Sequence, residues 1–200
     1  MTTRPAVPDH HVRCPWAEVW LCLLFLFQVA HAEPTRINGR VVSVADGDTL
    51  TILDPANNVQ HKIRLAGIDA PEKRQPFGQR SRQHLGHLAH RKDATALCSK
   101  IDRYRRRVCK VMVQPPDCPT CDKTLDIGLA QVAVGGAWWY REYAKEQSSG
   151  DRQQYESAEQ EARGKRLGLW VEKKPVPPWE WRKAKADDKW KSSVKRKYII

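Results

Sequence analysis

The 200-residue sequence predicts an α+β fold that is mainly β: a small closed barrel of five strands with three helices attached. Three observations carry that expectation. Short runs of alternating apolar and polar residues fill the first third of the chain after residue 39. Turn-forming clusters punctuate them. Apolar spacing then switches to a helical period three times, with two further strand-like runs between the first and second switch.

The segment Arg40–Leu53 reads as a hairpin. Val42 and Val44 alternate with small or polar neighbours, Asp46-Gly47 breaks the run, and Leu50 and Ile52 resume it. Asp54-Pro55-Ala56-Asn57-Asn58 is a turn cluster. A third strand follows, with Val59, Ile63 and Leu65 on one face and Gln60, Lys62 and Arg64 on the other; Gly67 and Pro71 close it. Phe77, Ser81, Leu85 and Leu88 form one helical stripe, so a helix is expected from Pro76 to Leu88. Strands are expected at Ala94–Cys98 and Val108–Val113, flanking the charged run Asp102–Arg107. A second helix fits Asp126–Val134, with Asp126 as N-cap and Gly135-Gly136 as its stop. A third begins at Asp151, with Gln154 at capping-box spacing and Tyr155, Ala158 and Ala162 as its apolar face. About 140 residues suffice for one adequate core.

Two ends read as non-globular. Val19–Val29 is apolar but too short for an ordinary transmembrane helix, and Ala30-His31-Ala32 matches a signal-peptidase site. Apolar core, small residues and polar continuation follow in that order, which predicts a cleaved signal peptide over residues 1–32 rather than a membrane anchor or a core helix. The domain then spans 33–174. Residues 175–200, with Trp179, Trp181 and Trp190 among lysines and arginines, are expected as a flexible basic tail that could bind nucleic acid or an anionic envelope surface.

Cleavage leaves Cys98, Cys109, Cys118 and Cys121, and an even count in an exported chain favours disulfides. Zinc is the second reading, and needs the fold to gather all four. Redox chemistry at Cys118–Cys121 fits less well, because Gln114-Pro115-Pro116-Asp117 reads as a loop rather than a strand leading into a helix. The net charge is +12 and is unchanged by removing residues 1–32, which carry two basic and two acidic side chains. Such a surface attracts polyanions, although charge alone does not separate that role from solubility.

The candidate chemistry lies in carboxylates and arginines. Asp46-Gly47-Asp48-Thr49 sits at a strand turn and Asp69-Ala70-Pro71-Glu72 at a strand end, each presenting oxygen ligands on a sharp bend, which suits calcium. Either motif alone is common in plain turns, and no EF-hand loop is present. Arg64 lies five residues before Asp69, and Arg106 lies within Asp102-Arg103-Tyr104-Arg105-Arg106-Arg107. A guanidinium grips phosphate through two parallel hydrogen bonds, as phosphoryl chemistry requires. For most members of the arginine run a solvated hairpin tip is the plainer reading.

The three segments Val44–Thr49, Arg64–Glu72 and Asp102–Arg106, in this order and spacing, resemble the staphylococcal nuclease-like, or thermonuclease, family. So do Val134-Gly135-Gly136-Ala137-Trp138 and Glu161-Ala162-Arg163 with Gly168-Leu169-Trp170, so that the resemblance runs from Ile37 to Trp170. It implies an OB-fold barrel with three helices, and calcium-dependent endonuclease action on DNA and RNA, single strands preferred, with little sequence specificity, leaving 3′-phosphates. It implies that Asp48, Asp69 and the carbonyl of Ala70 hold Ca2+, that Arg64 and Arg106 clamp the scissile phosphate, and that Glu72 orients or deprotonates the attacking water. Two departures stand out. Arg105 replaces a frequent glycine, and the Cys118–Cys121 insertion suggests a subgroup of exported bacterial relatives. A secreted or periplasmic monomer without stable membrane insertion is expected.

The rival reading is a non-catalytic OB-fold module for single-stranded nucleic acid, with Trp138, Trp139, Tyr140 and Tyr143 stacking on bases. Core packing is the plainer role for at least one of those tryptophans. Retention of Asp48, Asp69, Glu72 and both arginines favours the enzyme. A third reading, an envelope interaction protein on the same scaffold, would be indifferent to calcium.

Overall fold

The computed structural model describes residues 35–197 except Pro119; the expected signal peptide lies outside the described residues. Strands β1 (Thr35–Val44), β2 (Thr49–Asp54) and β3 (Val59–Leu65) form an antiparallel meander. β5 (Asp93–Ile101) pairs with β1, and β6 (Arg107–Val113) with β5, again antiparallel. β3 and β6 then meet in parallel, with Arg64 opposite Val108, which closes the five strands into a barrel. β4 (Ile68–Asp69) pairs with β8 (Trp138–Trp139), and β7 (Leu125–Asp126) extends β6 at the sheet edge.

The barrel fills with alternate side chains: Ile37 and Val41 of β1, Leu50 and Ile52 of β2, Ile63 and Leu65 of β3, Ala94 and Ala96 of β5, Val111 and Val113 of β6. In β1 the buried valine is Val41; Val42, expected inside, is only half-buried. The cause is a β-bulge between Val41 and Ser43, which inserts a residue and brings Val44 back onto the core side. Val59, on the parity of Ile63 and Leu65, is exposed at its strand's outer end.

Helix α1 runs Gly78–Ala89 and buries Ser81, Leu85 and Ala89 on the expected stripe. It starts two residues later than Pro76 predicts, because Phe77 is left-handed (φ 65°) and turns the chain into the helix. Helix α2 (Ile127–Ala133) begins at the expected cap: Asp126 accepts from the amides of Gly128 and Leu129. It stops at Gly135, whose φ of +67° and close approach to the Leu167 carbonyl leave no room for a side chain. Helix α3 (Ser149–Gly164) is capped by Ser148, not Asp151; the Ser148 hydroxyl accepts from the Asp151 amide, and the Asp151 carboxylate pairs with Lys110 instead. Tyr155 and Ala162 face the core as expected.

Residues 178–197 form a fourth helix, α4 (Pro178–Lys197), where a flexible tail was expected. Trp179 packs edge-on against Trp138, ring centres 6.4 Å apart, and lies 5.3 Å from the Tyr140 ring. No helix of the described residues is long and apolar enough to cross a membrane. The cysteine sulfurs lie at bonding distance in two pairs, Cys98 with Cys109 across the β5–β6 ladder and Cys118 with Cys121 in the following loop.

Candidate active site

The β1–β2 turn is built so that Asp48 points inward. Asp46 accepts from the Asp48 amide, folding the turn on itself, and the Asp48 carbonyl accepts from the Leu65 amide at 2.8 Å. Gly47 sits against Ser81 and Ala70; a Cβ there would lie 1.8 Å from the Ser81 hydroxyl, so only glycine lets α1 pack so close. Gln131, fully buried, donates to the carbonyls of Gly47 and Ser81 and thereby ties the turn to α1 and α2.

Asp69 arrives from the other side on β4. Its strand is held by pairing with β8, Asp69 opposite Trp138. β8 in turn is held by Glu159, a completely buried carboxylate on α3 that accepts from the Trp139 amide at 3.1 Å and from Arg141 at 2.8 Å. Neither Gln131 nor Glu159 was legible as a site support. Both are polar residues on helices whose only sequence signal is their position on an otherwise apolar stripe.

Arg64 lies between the two aspartates. It donates to Asp48 Oδ2 at 2.7 Å, to Asp69 Oδ1 at 3.1 Å and to the Ile68 carbonyl at 3.2 Å. Asp48 also accepts from the Ala70 amide and the Thr49 hydroxyl. Burial pushes the Asp48 carboxyl up, but the Arg64 charge and these donors outweigh it and hold the carboxyl below the usual carboxylate range. Asp69 moves the other way: burial, assisted by repulsion from Asp48, raises it despite its arginine partners. Asp46 is raised to about 6 by burial and then by the charge of Asp48. Arg64 is raised, since its two carboxylates outweigh the cost of burial.

Arg106 reaches the same cleft from the β5–β6 hairpin. Asp102 accepts from its backbone amide and its Nε, and Arg106 Nη1 lies 3.3 Å from the Thr49 hydroxyl. Arg105 is exposed at the hairpin tip with φ 61°, in the left-handed region that glycine favours, and does not line the cleft. Glu72 follows Asp69 by three residues and lies at the cleft edge, its Oε1 accepting from Arg182 at 2.8 Å.

The cleft holds about 650 Å³ and is rimmed by Lys62, Lys100 and Arg103 with Tyr104, Tyr140 and Tyr143. Six site residues expected from sequence (Asp48, Arg64, Asp69, Ala70, Glu72 and Arg106) are brought to this one cleft or its wall. Of the aromatic residues considered for base stacking, Trp138 and Trp139 are buried in the cores and are corrected to packing roles, whereas Tyr143 remains exposed. Among the described residues no three acidic, histidine or cysteine side chains converge as metal ligands; Asp48 and Asp69 close on guanidinium groups. In kind the donors suit a hard cation: two buried carboxylates, with no histidine or thiolate beside them.

A closed barrel that brings buried carboxylates and two arginines into one charged cleft is the framework of an OB-fold nuclease. Residues 62–172 match the staphylococcal nuclease homologue model. An uncharacterized endonuclease of Haemophilus influenzae is 37% identical over 162 residues, 80% of this chain and 82% of that protein. Micrococcal nuclease of Shigella flexneri is 42% identical over 147 residues, 73% of this chain and 80% of the relative. The staphylococcal-like nuclease CAN1 of Arabidopsis thaliana is 35% identical over 124 residues, 62% of this chain but 34% of that longer protein. The chain belongs to the staphylococcal nuclease family and is a nuclease.

Proposed function

We propose that the protein is a calcium-dependent endonuclease that hydrolyses DNA and RNA, single strands preferred, leaving 3′-phosphates. The observation that carries this reading is the convergence of Asp48, Asp69, Arg64 and Arg106 at one end of a charged cleft, with Glu72 on its edge. In this scheme Asp48, Asp69 and the Ala70 carbonyl hold Ca2+, which supplies a Lewis acid for a phosphate oxygen. Arg64 and Arg106 donate to the equatorial oxygens of the scissile phosphate, where charge grows toward the transition state. Glu72 accepts the proton of the attacking water or orients it. Lys62 and Arg103 draw the polyanion to the cleft, Lys100 being paired with Glu146, and exposed Tyr104 and Tyr143 offer faces for unpaired bases. The signal-like segment 1–32 and the paired cysteines support a secreted or periplasmic location.

The test is cleavage of single-stranded DNA by the purified protein in calcium, in magnesium and in chelator, with end-group analysis of the products. Calcium-dependent fragments bearing 3′-phosphates are expected. Full activity in chelator, or 5′-phosphate ends, would refute the scheme.

A further inference from the structure

The C-terminal segment places a third guanidinium in the acidic corner. Arg182 of α4 donates to both oxygens of Asp69, at 3.2 Å and 2.7 Å, and to Glu72 Oε1 at 2.8 Å. This contact does not hang on one side chain. Gln75, buried in the turn that follows Glu72, donates to the Val176 carbonyl at 2.5 Å while its Oε1 accepts from the Glu72 amide. Trp179 rests on Trp138 and Tyr140, and Trp181 lines a crevice with Pro76, Phe77 and Leu169. The segment from Val176 to Arg182 is thus strapped to the body beside the cleft, and it lies beyond residue 172, where the family match ends.

Arg64 already takes Asp69 Oδ1, so with Arg182 in place that oxygen accepts two guanidinium bonds and Oδ2 accepts another. A divalent cation on Asp69 would need the same lone pairs and would set its charge against that of Arg182. Occupancy by either therefore disfavours the other. We propose that Arg182 is a self-supplied counter-cation for Asp69 and Glu72, and that the start of α4 is a latch released when a divalent cation takes Asp69. This rests on the calcium reading above. The latched state lowers the apparent affinity for the cation by the fraction of molecules that are open, and the cation weakens the latch by the same factor. In the closed state Oε1 of Glu72 is held by Arg182, so the carboxylate is fully released only when the cation displaces the latch.

Calorimetric titration of the full chain with calcium alone, without nucleic acid, tests this against Arg182→Gln, which keeps length and removes charge. The variant should bind calcium about tenfold more tightly, within the usual range of such couplings. In the wild type, amide exchange of residues 179–185 should quicken on saturation with calcium; in Arg182→Gln it should already be fast without it. Calcium binding equal to or weaker than wild type in the variant would overturn the latch while leaving the calcium reading intact. No calcium binding by either protein, with DNA cleavage undiminished, would overturn both.

Discussion

Replacing Arg64 by glutamine tests whether the two aspartates are held together against their own repulsion. Arg64 is 17% exposed, and its partners Asp48 and Asp69 are 6% and 0% exposed at their side chains. Without the guanidinium, two carboxylates face each other across about the span it filled. At roughly 5 Å and an effective dielectric near 20 their repulsion is about 3 kcal/mol. Loss of one partner from a buried pair is generally worth about 3–5 kcal/mol, and Arg182 offsets part of this at Asp69. A net loss of about 3 kcal/mol lowers Tm by roughly 6–12 °C in a domain of this size. Differential scanning calorimetry in chelator should show that drop, and saturating calcium should recover most of it, because a cation between the carboxylates replaces the lost charge. Turnover in calcium should remain about a hundredfold or more below wild type, since the phosphate grip proposed for Arg64 is not restored. A drop below about 2 °C in chelator, or no recovery with calcium, would refute the view that charge repulsion dominates this corner.

Arg106→Ala should cut turnover by about a hundredfold or more, while Arg105→Ala should mainly weaken substrate binding and its salt dependence; the reverse ranking in steady-state kinetics would shift the clamp by one residue. Arg105→Gly should raise stability by about 1 kcal/mol in urea unfolding, because φ 61° strains any residue with a Cβ. Non-reduced peptide mapping should recover Cys98 with Cys109 and Cys118 with Cys121; four free thiols would contradict the pairing. Tyr155 is pushed up by burial and then by the charge of Asp126, to which its hydroxyl donates at 2.9 Å. The unfolded tyrosine ionises near pH 10 while the folded one stays neutral, so the stability it confers is complete below about pH 10 and falls above it by about 1.4 kcal/mol per pH unit. Urea unfolding at rising alkaline pH should show that slope in the wild type and lose it in Tyr155→Phe.

Elements whose identity depends on local chemistry were legible, and those set by partners were not. Asp126 could be read as a helix cap because its side chain and the amides it serves are neighbours in sequence. The cap of α3 was misplaced by three residues because Ser148 and Asp151 are both good caps locally, and only Lys110, far away in the chain, decides that Asp151 serves elsewhere. The β1 bulge was likewise invisible: Val41 and Val42 are chemically alike, and the register against β2 chooses between them. Pro178–Lys197 read as a tail because its composition is basic and weakly apolar. Its docking rests on Trp179, Trp181 and Arg182, most of whose partners lie about 40 to 110 residues earlier.

The candidate site residues are legible as motifs, yet their convergence has a cause that no motif contains. Arg64 sits opposite Thr49 in the β2–β3 ladder and opposite Val108 in the β3–β6 seam. Those two pairings set the β1–β2 turn and the β5–β6 hairpin on either side of it. The Asp48 carbonyl then accepts from Leu65, and the Ala66 amide donates to the Cys109 carbonyl, so the bonds that complete the barrel also fix Asp48 and the Arg106 hairpin about Arg64. A slip of one residue at that seam would turn Arg64 into the barrel and Ile63 toward the cleft. The core therefore enforces the site: burying Ile63 and Leu65 and presenting Arg64 are one structural choice. Arg182 stands outside this logic. It reaches Asp69 from a helix held by side chains rather than by the ladder, which leaves it free to leave without disturbing the barrel.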